Sequence, residues 1–153
     1  MVDIMLISMQ DFLKTGSLGP VHLKMGRAEV ERHLGQPEDW SAMLNQQRRP
    51  VIWKYGSIEI YFSDNEDVVA MIFIDDFAAP HHGVSQQLDF WLLKHRPSLI
   101  ELQKELAAND ITYTTAPVPG LADNVYLITA AGVHLQLAQE VDGMPRLVSC
   151  FIR

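Results

Sequence analysis

The chain has 153 residues, 48% hydrophobic and 20% charged, enough apolar material for one packed domain or two small modules sharing a core, which excludes disordered and collagenous chains. Its 12 basic and 19 acidic side chains leave a net charge of −7, the wrong sign for wrapping nucleic-acid phosphates. The single cysteine, Cys150, excludes an internal disulfide and a multi-cysteine metal site, and fits a reducing compartment.

The first 14 residues carry Asp3 and Asp11 and lack a basic head, a long apolar run and a small-residue cleavage site, so they do not read as a signal peptide. The longest uncharged apolar run, Val68 to Ile74, is seven residues, where a membrane helix needs about 20. A cytoplasmic protein with no membrane or nucleic-acid partner is the expectation.

Along the chain, Ile4 to Leu13 predicts a helix. Arg27 to Leu34, with Ala28, Val30 and Leu34 as its apolar positions and Gly35-Gln-Pro37 as its stop, predicts a second that closes on a glycine of positive φ. Gln36 to Pro50 follows as a 15-residue loop holding Trp40 and Arg48-Arg49, long for a connection in a compact domain. Trp53 to Phe62 then alternates, with Ile58, Ile60 and Phe62 on one side and Glu59 and Tyr61 on the other. That period marks a strand with one buried face. A polar turn, Ser63 to Asp67, leads into a return strand from Val68 to Ile74.

Residues 78–83 form a Pro/Gly-bounded connector. Beyond it, Val84 to Lys94 predicts a helix through Leu88, Trp91 and Leu92, and Ser98 to Asn109 predicts another, with Ser98 as its N-cap. Asp110 to Val125 reads as a second long loop. Leu127 to Ala138 alternates beyond Gly132, with Val133, Leu135 and Leu137 inward and His134 and Gln136 outward. After a turn at Asp142-Gly143 comes Leu147 to Ile152, where Cys150 alternates with Val148 and Ile152 as a buried, unreactive thiol.

The halves repeat one order: helix, helix, long loop, strands. Superposing Gly56 on Gly132 sets an offset of 76 residues. The fold class is therefore α+β, in two tandem helix-helix-antiparallel-sheet units over residues 1–77 and 84–153. The expected cores are Val30, Leu34, Ile58, Ile60, Phe62 and Ile72 in the first unit and Leu102, Leu106, Leu135, Leu137 and Val148 in the second.

Metal-ligand residue types cluster at Asp75-Asp76 and His81-His82. Neighbouring side chains on an extended chain point to opposite faces, so the expectation is no metal and no cofactor; a small metal-dependent enzyme or ligand-binding protein using Asp75, Asp76, His81 and His82 is the alternative. No G-x-S-x-G, H-E-x-x-H or C-x-x-C spacing occurs, and no catalytic residue is assigned. The outward residues Glu59, Tyr61, His134 and Gln136 line one wet surface if the two sheets abut, with Trp40 at its rim. Aromatic and polar side chains on rigid strands are what partner-binding surfaces use.

The segment Leu23-Lys-Met-Gly-Arg-Ala-Glu-Val-Glu-Arg-His-Leu-Gly-Gln-Pro37, through Met25, Gly26, Val30, Leu34, Gly35 and Pro37, resembles the opening motif of the small outer-membrane-assembly lipoproteins and of the β-lactamase-inhibitor-protein family. The tandem arrangement resembles the latter. Phe12 to Pro20, taken with Trp53 to Gly56, is similar to small uncharacterised bacterial proteins associated with immunity to toxins. The resemblance implies helical pairs packed on antiparallel sheet and a non-enzymatic inhibitor or immunity-type protein acting on a basic toxin or enzyme. No lipid-accepting cysteine stands near the N-terminus and no disulfide is available, in contrast to those relatives. Residues 1–77 hold 7 basic and 12 acidic side chains, net −5, and residues 78–153 hold 5 and 7, net −2, so a basic partner is steered mainly by the first half. A self-associating structural protein that pairs sheet edges is a further alternative.

Overall fold

In the computed structural model, which describes residues 5–77 and 86–153, three α-helices accompany an eight-stranded antiparallel sheet. The first half runs β1 (Met5–Ser8), α1 (Met9–Thr15), α2 (Arg27–Leu34), β2 (Asp39–Trp40), β3 (Ile52–Tyr55), β4 (Ile58–Phe62) and β5 (Val69–Ile74). The second runs β6 (Gln86–Asp89), a 3-10 helix (Trp91–His95), α3 (Leu99–Ala108), β7 (Tyr113–Val118), β8 (Leu121–Thr129), β9 (His134–Gln139) and β10 (Pro145–Ile152). The strand order is β2-β3-β4-β5-β10-β9-β8-β7, and β1 pairs with β6 in a separate parallel ribbon. Each half thus contributes a four-strand meander, and the meanders meet where β5 pairs with β10.

Local chemistry explains where the helices start and stop. Ser8 caps α1 by accepting the Asp11 N–H at 3.1 Å, and Ser98 caps α3 by accepting the Glu101 N–H at 3.3 Å. Helix α2 ends on Gly35 at φ 76 and ψ −167, with its N–H on the Glu31 carbonyl. That region is nearly closed to residues with a Cβ, and the positive φ read from the Gly-Gln-Pro stop is present. The Tyr55 hydroxyl donates to the Gly35 carbonyl at 2.9 Å, tying the helix end to β3.

Alternate strand positions join the apolar sides of α1, α2 and α3 in one core cluster. Of the expected core, Val30, Leu34, Ile58, Ile60, Phe62, Ile72, Leu102, Leu106, Leu135 and Leu137 are all buried. Val148 is not: the β9–β10 register slips between Leu147 and Ser149, so this bulge turns Leu147 and Cys150 inward and leaves Val148 half-buried. On α2, Ala28 is exposed, and Arg27 occupies the buried position instead.

Five expected elements take another form. In the expected helix Ile4 to Leu13, Ile4 lies outside the described residues and Met5 to Leu13 is strand then helix, because the Ser8 cap starts the helix only at Met9. Val84 to Lys94 is β6 followed by a 3-10 turn, with residues 84–85 outside the described part. There β1 supplies a strand partner, and Trp91 and Arg96, at φ 56 and 49, interrupt helical geometry. Asp110 to Val125 is regular: it holds β7 and the start of β8. Trp53 to Phe62 and Leu127 to Ala138 are each a hairpin, turning at Gly56 and Gly132, whose φ values of 61 and 96 suit tight turns. Among the described residues no helix is long and apolar enough to cross a membrane.

Candidate protein-binding face

Directly opposed residues of antiparallel strands share a face. From β3 to β8 the register places Lys54, Glu59, Phe73, Phe151, His134 and Ile128 in one row on the face away from the core. Parallel rows hold Tyr61 beside Met71, and Ser149, Gln136 and Tyr126 together. The helices' apolar sides pack on the opposite face, so no described helix belongs to this one. The register therefore brings Glu59, Tyr61, His134 and Gln136 onto one surface, all half-buried.

Trp40 does not join them. It opposes Trp53, which opposes Ile60, a core position, so Trp40 stands on the helix-bearing face at the sheet edge, 57% exposed. Its neighbours Met43 and Leu44 are also exposed.

The middle of the open face is aromatic. Phe151 stacks on His134 with centroids 4.8 Å apart and planes 14° apart, and Phe73 stacks on Phe151 at 6.3 Å. Tyr126 sets its edge against both His134 (5.1 Å) and Phe151 (5.8 Å), and the Arg153 guanidinium lies 5.4 Å from the Phe151 centroid. Offset, edge-on and cation–π arrangements of this kind are attractive, and they bury Phe151 without a helix over it. His134 Nδ1 lies 3.1 Å from the Gly132 carbonyl oxygen, a contact that favours the Nδ1–H tautomer. Sequence reasoning found Glu59, Tyr61, His134 and Gln136 through alternation, but missed Phe73, Phe151 and Tyr126.

One end of this face carries carboxylates. The Tyr61 hydroxyl donates to Glu59 Oε2 at 2.9 Å, and Lys54 Nζ lies 3.4 Å from Glu59 Oε1. Burial, the hydrogen bond to Glu59 and the charges of Glu59 and Asp75 push the Tyr61 phenol up to about 12. Burial, then repulsion from Glu59 and Asp76, raises the Asp75 carboxyl, against a weaker pull from Lys54.

On the helix-bearing side of the sheet, the 36–50 segment is pinned by an ion pair between buried Arg27 and half-buried Asp67. Arg27 donates to both Asp67 oxygens and to the Pro50 carbonyl, and its guanidinium lies 3.9 Å from the Phe62 centroid and 4.8 Å from that of Trp53. Asn45 donates to Asp67 Oδ1 at 2.6 Å and accepts the Gln47 and Arg49 N–H groups. Burial alone pushes the Asp67 carboxyl up, but the hydrogen bonds from Arg27 and Asn45 and the charges of Arg27 and Arg49 outweigh it and hold the group below its usual range. No spacing in the sequence signals this knot, since Arg27 and Asp67 are 40 residues apart.

Asp75 and Asp76 are both exposed, and they line a recess of about 110 Å³ with Lys94, Arg96 and Leu147. His81 and His82 lie outside the described residues. Among the described residues no three His, Cys, Asp or Glu side chains stand close enough to hold a metal ion. Cys150 is fully buried, and burial pushes its thiol far up, which removes it as a nucleophile at neutral pH. No protein-family model matches the chain, and no curated protein or solved structure matches it significantly.

Proposed function

We propose that the chain is a non-enzymatic protein-binding module of the inhibitor or immunity type, built from two copies of one helix-and-sheet unit, that engages a bacterial toxin or enzyme through its open sheet face. The observation that carries this reading is the aromatic row Phe73, Phe151 and His134 with Tyr126 across it, on a face whose inward side is already used by the helices. Rigid aromatics ringed by Glu59, Tyr61 and Gln136 supply large contact area at small entropic loss. The duplicated reading is supported by the mirrored strand order about the β5–β10 pair and by the equivalent hairpin glycines Gly56 and Gly132.

Pairing of sheet edges between copies is the weaker reading. The Thr112 carbonyl accepts the Ala130 N–H and Tyr113 opposes Thr129, so Tyr113, Thr115 and Pro117 turn their backbone groups away from β8. Pro117 has no N–H to offer a further strand there. At the other edge, β2 is only two residues long, and short edge strands discourage pairing.

The test is a binding assay with the purified partner, taken first from a pull-down in the source cell. Tyr61→Ala and His134→Ala are each expected to weaken binding about 30-fold, the equivalent of ~2 kcal/mol, with far-UV circular dichroism unchanged. Full affinity in both variants moves the interface off this face.

A further inference from the structure

Resting on that reading of the open face, the geometry points to a specific occupant for its β3–β5 half: we propose that it receives an arginine-bearing segment of the partner protein, the guanidinium held between Glu59 and Asp75 and the stem laid along Phe73. Glu59 is directly opposite Phe73 on the neighbouring strand, and Asp75 follows immediately after the end of β5 at Ile74, close enough to Glu59 for the two charges to repel. Diagonal neighbours across an antiparallel pair lie roughly 7 to 8 Å apart, a separation that two carboxylate side chains can close onto one planar guanidinium while its flat side rests on a ring.

Charge decides which half takes the cation. Among the described residues of the β3–β5 half, the ionisable groups facing Phe73 are Glu59, Asp75 and Tyr61, with Lys54 beyond Glu59. Lys54 is engaged at Glu59 Oε1, and Tyr61 donates to Oε2, so both are held at Glu59 and Asp75 feels only a weak pull from Lys54. On the β8–β10 half, the charged residues near the row are Arg153 over Phe151 and Arg146, the latter paired with Asp142 at 3.7 Å. A basic segment is drawn to one half and repelled by the other, which fixes its orientation as well as its position. The raised Asp75 carboxyl fits this account, because two carboxylates that repel each other in the free protein gain most from a shared cation.

The experiment is an amide-shift titration of the full chain with acetyl-Gly-Arg-Gly-amide, with acetyl-Gly-Glu-Gly-amide as its charge-reversed counterpart. The arginine peptide is expected to shift Glu59, Phe73 and Asp75 with saturation in the millimolar range, and to lose most of this effect at about 0.5 M salt. Asp75→Asn should weaken it at least tenfold, whereas Asp123→Asn, which removes an exposed carboxylate on β8, should not change it. Shifts spread evenly over the surface carboxylates, equal binding of the glutamate peptide, or indifference to Asp75→Asn would overturn the proposal. So would a dimer that dissociates on both Asp75→Asn and Arg48→Ala/Arg49→Ala, since the occupant is then a second copy. With the purified partner, weakening by His134→Ala but not by Asp75→Asn sinks this inference and leaves the open-face reading standing; weakening by neither sinks both.

Discussion

In the β2–β5 half, residues 36–50 fold back along β3 with only a two-residue ladder, and in the corresponding stretch of the other half, residues 110–125 form regular strand. The irregular segment draws its order from side chains: Asn45, Asp67 and the buried guanidinium of Arg27 satisfy the groups that a ladder would otherwise pair. The regular one uses six backbone-paired positions, from Tyr113–Thr129 to Val118–Leu121. The contrast extends to the open face, where Glu59 stands on one half and Arg146 and Arg153 on the other, with the aromatic row spanning the β5–β10 junction between them. Two four-strand meanders in one sheet thus depend on different interactions and present different chemistry.

The largest expected effect tests whether the first half hangs on its ion pair. Arg27→Ala leaves the half-buried Asp67 with only the exposed Arg49, 3.7 Å away, as a cation, and a loss of about 3 kcal/mol in urea unfolding is expected; a loss under about 1 kcal/mol would erase the contrast. Acid titration examines the same pair. Because the folded carboxyl of Asp67 lies below its unfolded value, its stabilisation is present above the unfolded value and fades as pH falls through the folded one. Asp67→Asn should therefore flatten the acid limb of the stability profile.

Next in size is a comparison of helix ends. Gly35→Ala forces a Cβ into a glycine-only conformation and should cost about 2 kcal/mol, although the space around it is open. Helix α3 instead ends on Asn109 at φ −107, bonded to Gln10 and to the Glu105 carbonyl. Asn109→Ala should cost about 1 kcal/mol, so equal melting temperatures for the two variants would break the distinction.

A smaller effect is spectroscopic. Tyr61 holds its proton to about 12, so it stabilises the fold fully below the unfolded value near 10, and that contribution is lost as pH rises through the folded one. Absorbance at about 295 nm should show its ionisation moving down in Glu59→Gln; an unmoved transition would separate Tyr61 from the carboxylate end. Smallest is Asp75→Asn. The ionised Asp75 opposes folding above its raised value and ceases to as pH falls, so the variant should match or slightly exceed the parent at neutral pH and lose that margin in acid. A clear loss at neutral pH would make Asp75 part of the scaffold.

Alternation is a property of adjacent residues and the pleat, so the inward positions Ile58, Ile60, Leu135 and Leu137, and with them the outward Glu59, Tyr61, His134 and Gln136, were legible in the sequence alone. The Gly35 stop was legible for the same reason: a helix end is settled by a few bonds within one turn. Strand β7 was not, because an edge strand with exposed Thr114, Thr115 and Pro117 carries little alternation to read. Val148 lost its inward place to a bulge, which is set by the partner strand. Trp40 lies on the opposite face because the β2–β3 register puts it beside Trp53, and that register is held partly by the Arg27–Asp67 knot formed across 40 residues. The aromatic row, finally, exists only because β5 meets β10 and sets Phe73 against Phe151; local propensity can place each phenylalanine on a strand, but only tertiary packing chooses its neighbour.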